Sequence, residues 1–309
     1  MFALKPIISI YKTRQIYGIS IDANFNLYCT NSIVASQITK ISSNGTETQF
    51  GSAILIAHSN CIDVSNTSLY ITNDGTNINQ YSLSSGLQIG SSLSVPSYAI
   101  DIVVDASGNR YIANAVNNLY VVRSGTTTAI NLITPSGATT YASSISGTTT
   151  AANFKGADVY GVTINSGKLY VVCQSGGYVI SLLLSEIYAS AFNPAQIKVY
   201  KFAGTGTSAS ITAPIPVGTL ATSSTLNSPR DIQFNNGYAY ILETGGNMIK
   251  KVNVTTNVIT CFASSNSALS PTLTTSLFNG PTSFCIDNVN NIMYIANVWN
   301  NNILKITNV

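Results

Sequence analysis

Short apolar segments separated by polar turns follow one another along the whole chain, and one arrangement of them recurs six times. In each copy an apolar segment containing Tyr follows a turn, and an aliphatic residue, usually preceded by an amide, comes eight to ten residues later. Alternating apolar and polar positions over such short lengths indicate β-strands. Successive repeat tyrosines lie 42, 41, 59, 70 and 54 residues apart. The six tyrosines are Tyr28, Tyr70, Tyr111, Tyr170, Tyr240 and Tyr294.

This repeat predicts the fold class. Before each Tyr lies a strand of alternating apolar residues that ends in Asp or Asn, as in 100–105 and 231–235, and a polar turn follows. Asp and Asn side chains bond to their own backbone and tolerate left-handed conformations, so they start hairpin turns. With a weaker fourth strand before the next copy, each repeat makes one four-stranded antiparallel blade, and this period is typical of β-propellers. We therefore predict an all-β, six-bladed β-propeller that occupies residues 1–309 as a single domain.

The two ends of the chain indicate how the ring closes. The last copy of the repeat stops at its third strand, and residues 4–12, before the first copy, look like an isolated strand. Pairing of residues 7–11 with residues 303–306 would complete the sixth blade and remove two open sheet edges. The sequence thus predicts closure by pairing of N- and C-terminal strands.

A second pattern is best preserved in residues 202–232. A Gly-rich turn at 202–207 and small residues at 221–228 precede Pro229, which opens the next innermost strand. This pattern resembles the NHL-repeat family of six-bladed propellers, and the resemblance extends over nearly the whole chain. Members of that family usually carry Asp three residues after the repeat Tyr, whereas this chain has other residues there. The resemblance therefore implies the fold without implying an activity.

The six residues that follow each repeat Tyr by three form a candidate site. Equal spacing puts one of them on each blade at a similar height, so we expect a shared environment near the axis. In a functional interpretation, amide oxygens and the Glu243 carboxylate bind a cation or a small polar ligand in the channel. In a structural interpretation, each side chain forms hydrogen bonds to backbone groups at the turn between the second and third strands. We favour the structural interpretation, because four neutral amides and one carboxylate supply little charge for binding Ca²⁺. The six residues are Asn31, Asn73, Asn114, Cys173, Glu243 and Asn297.

Charged residues are unusually rare in this chain. They make up 8% of it, with 14 Lys and Arg, 11 Asp and Glu and a net charge of +3, against about 25% in ordinary soluble domains. Few charges mean little repulsion between copies and little charge to desolvate on association. We therefore expect a protein-binding or structural module that assembles with other copies of itself, such as a component of a particle, fibre or virion surface. A biased coding sequence, or a sugar-coated or sugar-binding exterior, would give the same composition.

Candidate catalytic residues are few. The five cysteines, at positions 29, 61, 173, 261 and 285, include no C-x-x-C pair and are expected to be buried free thiols. The single histidine, His58, is interpreted as structural, and no Ser lies in a G-x-S-x-G motif. We predict a protein that is not an enzyme, with no catalytic, cofactor-binding or metal-binding residue and no cofactor. A calcium-dependent, lactonase-type hydrolase that uses Glu243 is the first alternative.

An RNA-binding propeller is the second alternative, because the NHL resemblance includes proteins that bind RNA on a basic face. Phosphate recognition needs a concentrated basic patch, whereas the Lys and Arg residues are spread along this chain, so nucleic acid is not the expected partner. The basic residues that could still converge in space are Lys198, Lys201, Arg230, Lys250 and Lys251.

The sequence contains no run of 18 apolar residues, so no membrane span is predicted. It shows no recognisable secretory signal, and we assign no compartment.

Two segments, 124–155 and 185–227, are longer than a fourth strand requires. Long connections usually carry function or pack as elements of their own. We expect both to project from the rim or from one face, to make most partner contacts, and to be replaceable by short turns without loss of the fold.

Overall fold

The computed structural model describes residues 6–309 with gaps in between. The residues outside the description are 1–5, 14–15, 31–35, 55–58, 63–64, 66, 73–75, 97, 117, 134–144, 146, 155, 212, 267–268, 270–272 and 275–276. His58, Asn31 and Asn73 are among them, so their predicted roles lie outside the described residues.

The described chain consists almost entirely of short strands. The first strand is β1 (Ile7–Thr13). Blade one contains β2 (Ile19–Ile21), β3 (Leu27–Cys29), β4 (Ser36–Ile41) and β5 (Glu47–Ile54). Blade two contains β6 (Ser59–Ile62), β7 (Ser68–Thr72), β8 (Asn77–Ser82) and β9 (Leu93–Ser94). Blade three contains β10 (Ala99–Val104), β11 (Arg110–Asn114), β12 (Asn118–Val122) and β13 (Ala129–Ile133).

The second half follows the same plan with additions. Blade four contains β14 (Val159–Asn165), β15 (Lys168–Cys173), β16 (Tyr178–Leu183), the helix α1 (Leu184–Ala189) and β17 (Tyr200–Ala203). Blade five contains β18 (Pro229–Asn235), β19 (Tyr238–Glu243), β20 (Met248–Asn253), β21 (Ile259–Ser264) and β22 (Leu273–Thr274). Blade six contains β23 (Pro281–Asp287), β24 (Ile292–Asn297) and β25 (Asn302–Thr307). Short 3₁₀ helices lie at Pro194–Gln196, Ala221–Ser223 and Val298–Asn300. Within the described ranges, no helix is both long enough and apolar enough to cross a membrane.

These sheets form a six-bladed β-propeller, as predicted. In every blade the strands are ordered from the axis outward, and consecutive strands are antiparallel apart from β22, a short fifth strand parallel to β21. The innermost strands β2, β6, β10, β14, β18 and β23 each pack against the innermost strands of both neighbouring blades, which makes a ring. We call the end of the ring where these strands begin the top face, and the end where they finish the bottom face.

The ring closes as the sequence predicts. β1 pairs antiparallel with β25, with Ile7 opposite Thr307 and Thr13 opposite Asn302. β1 is therefore the outermost strand of blade six. Strands from the two ends of the described chain thus share one sheet, which leaves blade six with four strands like most of the others.

The apolar core lies between neighbouring blades. Each sheet packs against the preceding blade on one face and the following blade on the other. Second strands such as β15 are therefore buried along nearly their whole length. The repeat tyrosines belong to this core: Tyr28, Tyr111 and Tyr240 are at most 1% exposed. The recurring Tyr therefore marks a packing position between blades.

Carboxylates close the first hairpin of several blades. Asp105 Oδ1 accepts hydrogen bonds from the backbone N–H groups of Ser107 and Asn109, at 2.8 and 2.9 Å. Its Oδ2 accepts from the Tyr111 hydroxyl at 3.1 Å, and Asp22 binds its own turn in the same way. This agrees with the turn chemistry expected from Asp at the end of the innermost strand.

Blades four and five have shorter first hairpins. Their innermost strands end in Asn, and the turns that follow contain two residues each. Both residues of each turn have positive φ, 48° and 73° at Ser166 and Gly167 and 48° and 78° at Asn236 and Gly237. Such a backbone is that of a type I′ turn, which needs Gly or Asn.

The long segment after β16 is not a free projection. In α1 and the chain that follows it, Ile187 and Ile197 are fully buried in the core between blades three and four. The N–H of Ala151, from the other long segment, donates to the Ile197 carbonyl oxygen at 2.8 Å. The expectation that both segments could be replaced by short turns is therefore wrong for this part, because replacement would remove core side chains. In the later loop, by contrast, Val217 is fully exposed.

Candidate functional site: the central channel

The innermost strands surround a central cavity of about 200 Å³. An innermost strand has no partner on its axial side, so its N–H and C=O groups on that edge need other partners. Two carboxylates, on blades three and five, lie in the wall among small polar and apolar residues. The polar residues of the wall are Ser20, Asp101, Thr163, Asp231, Gln233 and Ser283.

Asp101 and Asp231 each connect two innermost strands. Asp231 Oδ1 accepts from the N–H of Ile232 on its own strand at 2.7 Å, and its Oδ2 accepts from the N–H of Phe284 in blade six at 2.9 Å. Asp101 does the same between blades three and four, where its Oδ2 accepts from the N–H of Val162 at 3.0 Å. Burial raises the pKa of Asp231 to about 6, and the backbone N–H donors oppose that rise. The two carboxylates therefore satisfy edge N–H groups that would otherwise face the channel unpaired.

Arg230 lies at the top mouth of the channel. Its guanidinium carbon is 4.8 Å from the ring centroid of Tyr17 and 4.7 Å from that of Tyr160, so the cation is held between two aromatic rings. Its Nη2 also donates to the Tyr17 hydroxyl. Burial raises the pKa of Tyr160, and the neighbouring Arg230 cation opposes that rise. The Thr282 hydroxyl donates to the Tyr17 carbonyl oxygen at 2.7 Å, which ties this mouth to blade six.

The predicted ring of residues near the axis is not found. Its four described members end the second strands, one strand away from the axis, and they are absent from the described wall of the channel. That expectation was wrong because spacing from the repeat Tyr fixes a height along the second strand, not a distance from the axis. The four residues are Asn114, Cys173, Glu243 and Asn297.

Asn114 and Asn297 both bond to backbone groups, but only Asn114 does so at the turn between the second and third strands, where the structural interpretation expects such bonds. The backbone partners of Asn297 precede β23 instead. Asn114 Oδ1 accepts from the N–H of Val116 at 2.8 Å in the turn that follows its strand. Asn297 Oδ1 accepts from the N–H of Asn279 at 2.7 Å, and its Nδ2 donates to the Leu277 carbonyl oxygen at 2.7 Å. Both side chains are fully buried, so an unpaired amide there would cost about 1–3 kcal/mol.

Glu243 is occupied by a buried ion pair. Its Oε1 lies 2.7 Å from Lys250 Nζ, both side chains are fully buried, and its Oε2 accepts from the N–H of Asn227 at 3.1 Å. Burial raises the pKa of Glu243, and Lys250 opposes that rise. The carboxylate that the sequence offered for calcium is therefore used inside blade five, away from the channel.

The proposed basic residues do not form one surface. Lys250 is fully buried, whereas Arg230 lies at the channel mouth between tyrosines. Lys251 Nζ lies over the rings of Tyr238 and Tyr240, and burial lowers the pKa of Lys251. Lys250, Arg230 and Lys251 thus have separate environments and do not join in one exposed basic patch.

The described cysteines are thiols without disulfide partners, as expected. Cys29, Cys173, Cys261 and Cys285 are buried, and Cys61 has no described side chain. Burial raises the pKa of Cys173 to about 12, so this thiol is not a poised nucleophile at neutral pH.

Several proteins of known structure resemble this chain in fold. No protein-family model matches the sequence, and no curated protein is similar in sequence. An auxiliary nutrient binding protein from Bacteroides ovatus is similar in structure, with a TM-score of 0.74, 13% identity, and coverage of 98% of this chain and 76% of the other. A second one, from Bacteroides thetaiotaomicron, has a TM-score of 0.71 and 14% identity over 94% of this chain and 68% of its own. A gluconolactonase from Xanthomonas campestris has a TM-score of 0.62 and 10% identity over 96% of this chain and 87% of its own.

These likenesses show a shared six-bladed architecture. The fold serves binding proteins as well as an enzyme, so it does not assign a function by itself. Asp101 and Asp231 are not among the site residues predicted from the sequence, although both stand in the same Asp-Ile dipeptide, directly after the bulge that begins the innermost strand. The recurrence of this dipeptide at the same strand position was the sequence signal that could have indicated the two channel carboxylates.

Proposed function

We propose that this chain is a non-enzymatic propeller that binds proteins, first of all other copies of itself, as a structural module. The observation that carries the proposal is a set of large apolar side chains exposed on a surface with few charges. Val289, Leu87 and Trp299 are 75, 68 and 66% exposed, and Ile7 on the outermost strand β1 is 63% exposed. Burying such side chains between copies is favourable, at about 25 cal/mol per Å².

The scarcity of charge supports the same proposal. Only 25 residues carry formal charges, counting 14 basic and 11 acidic ones. Glu243 and Lys250 neutralise each other inside blade five, and Asp231 is buried in the channel wall, which leaves still fewer charges at the surface. Association would therefore require little desolvation of ions and would meet little long-range repulsion.

The oligomeric state of the purified protein at micromolar concentration tests the proposal. Mass photometry and light scattering should show assemblies that persist as salt is raised, because apolar contacts are not screened. The double variant Leu87→Lys and Val289→Lys should shift the protein toward monomers. Ser84→Lys, which adds charge to the same turn as Leu87 without removing an apolar group, should not. A wild-type protein that is monomeric at about 10 μM, a concentration at which a micromolar complex would form, contradicts the proposal.

A calcium-dependent, lactonase-type hydrolase is the second candidate, favoured by the two channel carboxylates Asp101 and Asp231. However, both carboxylates already accept hydrogen bonds from backbone N–H groups of neighbouring strands, which argues against a role in binding Ca²⁺. We expect neither Ca²⁺ nor EDTA to change the melting temperature, and no hydrolysis of gluconolactone above the buffer rate. A calcium-dependent rise in melting temperature that is lost in Asp231→Asn, together with lactone hydrolysis, would support the hydrolase instead.

A further inference from the structure

A cavity of about 340 Å³ opens on the bottom face where blades four, five and six meet. Its shape follows from hairpin lengths. The first hairpins of blades four and five have two-residue turns, 166–167 and 236–237, whereas the corresponding turn of blade six spans four residues, 288–291. The short turns leave a depression beside the longer one, so the cavity is a product of the fold itself.

Carboxamides supply most of the polar groups in this cavity. Asn165, Asn235, Asn236 and Asn288 line it. Asn235 and Asn236 each donate from Nδ2 to the Oδ1 of Asn291, at 3.2 and 2.8 Å, which fixes their orientation and leaves their own Oδ1 atoms as acceptors. In the part of the chain that the structure describes, the side chains of Asn165 and Asn288 make no hydrogen bond. Each offers an acceptor and two donors to a ligand.

An aromatic ring stands beside these amides. Tyr238 and Phe234 contribute apolar surface to the cavity, and both are partly exposed. Lys251 Nζ lies 4.0 Å from the Tyr238 ring centroid and holds the ring in place. Among the residues that the structure describes, those that line the cavity include no Asp, Glu, Lys, Arg or His. A charged ligand would therefore find no opposite charge there.

We propose that this cavity, which we call the amide pocket, binds a neutral polyhydroxylated ligand, a saccharide. Carboxamides are matched to vicinal hydroxyl groups because each can donate and accept at once. The exposed part of an aromatic ring packs against the apolar face of a pyranose. The volume lies at the small end of pockets that hold small ligands, which fits one or two sugar rings. The inference goes beyond self-association and does not depend on it.

Saturation-transfer NMR with glucose, galactose, N-acetylglucosamine and maltose tests the amide pocket. At about 20 mM saccharide, well above a millimolar Kd, at least one of the four should receive saturation from the protein. Asn165→Ala and Asn288→Ala should each weaken binding of that saccharide at least tenfold. Both side chains lack structural hydrogen bonds within the described chain, so both variants should keep the wild-type melting temperature.

Asn24→Ala is the matched control, because Asn24 is an exposed Asn in the first hairpin of blade one, on the same face. It should bind as the wild type does. Absence of transfer to all four saccharides overturns the proposal, and so does equal binding by the wild type, Asn165→Ala and Asn288→Ala. Tighter binding of glucuronate than of glucose would also contradict it, since the pocket would then recognise charge.

Discussion

At the scale of single residues, Asp231 and Asp101 show how a propeller treats the axial edges of its innermost strands. Each carboxylate accepts one N–H from its own strand and one from the next blade. A single side chain thus supports the junction between two sheets whose described strands do not pair with each other. Gln233 and Ser283 lie beside Asp231 in the channel wall, and both lower its pKa against the larger effect of burial.

The raised pKa of Asp231 predicts a pH dependence of stability. Its value is about 6 in the folded protein and 3.8 without the fold. Between these values the folded protein keeps a proton that the unfolded chain has released, so the free energy of unfolding falls as pH rises from about 4 to about 6. The fall from this group amounts to about 3 kcal/mol. Asp231→Asn should remove it, as measured by urea denaturation at each pH.

Glu47→Gln is the control for this prediction. It removes the same charge from a partly exposed pair, in which Glu47 Oε1 lies 3.4 Å from Lys12 Nζ, and should leave the pH dependence between 4 and 6 nearly unchanged. An identical pH dependence in Asp231→Asn and the wild type would show that Asp231 does not titrate in this range.

At the scale of elements, the innermost strands approach each other so closely that residue size is restricted. Gly161 follows the bulge at the start of β14, at the position that Asp231 takes in β18. A Cβ on Gly161 would lie 2.6 Å from the carbonyl oxygen of Arg230 and 3.1 Å from the Cα of Asp231. Both atoms belong to the backbone of the next blade, which cannot move without shifting the strand.

Gly161→Ala should therefore destabilise the protein by about 1–3 kcal/mol, the usual cost of overpacking. The melting temperature and the urea midpoint measure the effect. Gly147→Ala is the matched control, because no atom of the described residues lies within 4 Å of a Cβ built there. Equal stability of the two variants would mean that blades four and five separate easily at this point.

At the scale of the whole molecule, closure of the ring depends on one strand pair. β1 and β25 complete blade six, and without β1 the outer edge of β25 would be open. The exposed outer positions of β1, such as Ile7 and Ile10, then belong to the rim of the closed ring.

Deletion of residues 1–13 should lower the melting temperature and increase light scattering relative to the wild type, because an unpaired strand edge becomes available for pairing between molecules. Deletion of residues 1–6, which leaves β1 intact, is the control and should change neither quantity. If the longer deletion melts at the wild-type temperature and scatters no more light, β1 does not hold the ring closed.

The fold could be predicted from the sequence because its signals are local. The repeat Tyr and the Asp or Asn at the end of each innermost strand are recognised within a single repeat, and the closing strands are recognised at the two ends of the sequence. The arrangement of the channel could not be predicted in this way. Asp101 accepts a hydrogen bond from Val162 and Asp231 accepts one from Phe284, and each donor lies in the next blade, more than 50 residues away in the sequence. The amide pocket depends on differences in turn length between three blades, which no single repeat reveals.

The pairing of β1 with β25 also has a consequence for how the molecule is made. Ile7 and Thr307 are opposite each other in one sheet although about 300 residues separate them, and contacts between such distant parts of a chain form slowly. During synthesis β1 leaves the ribosome long before β25 has been made, so β1 remains unpaired during that interval. Its exposed isoleucines make it a segment that chaperones would hold during that interval. The strand that completes the native ring is thus open to mispairing throughout the synthesis of the other blades.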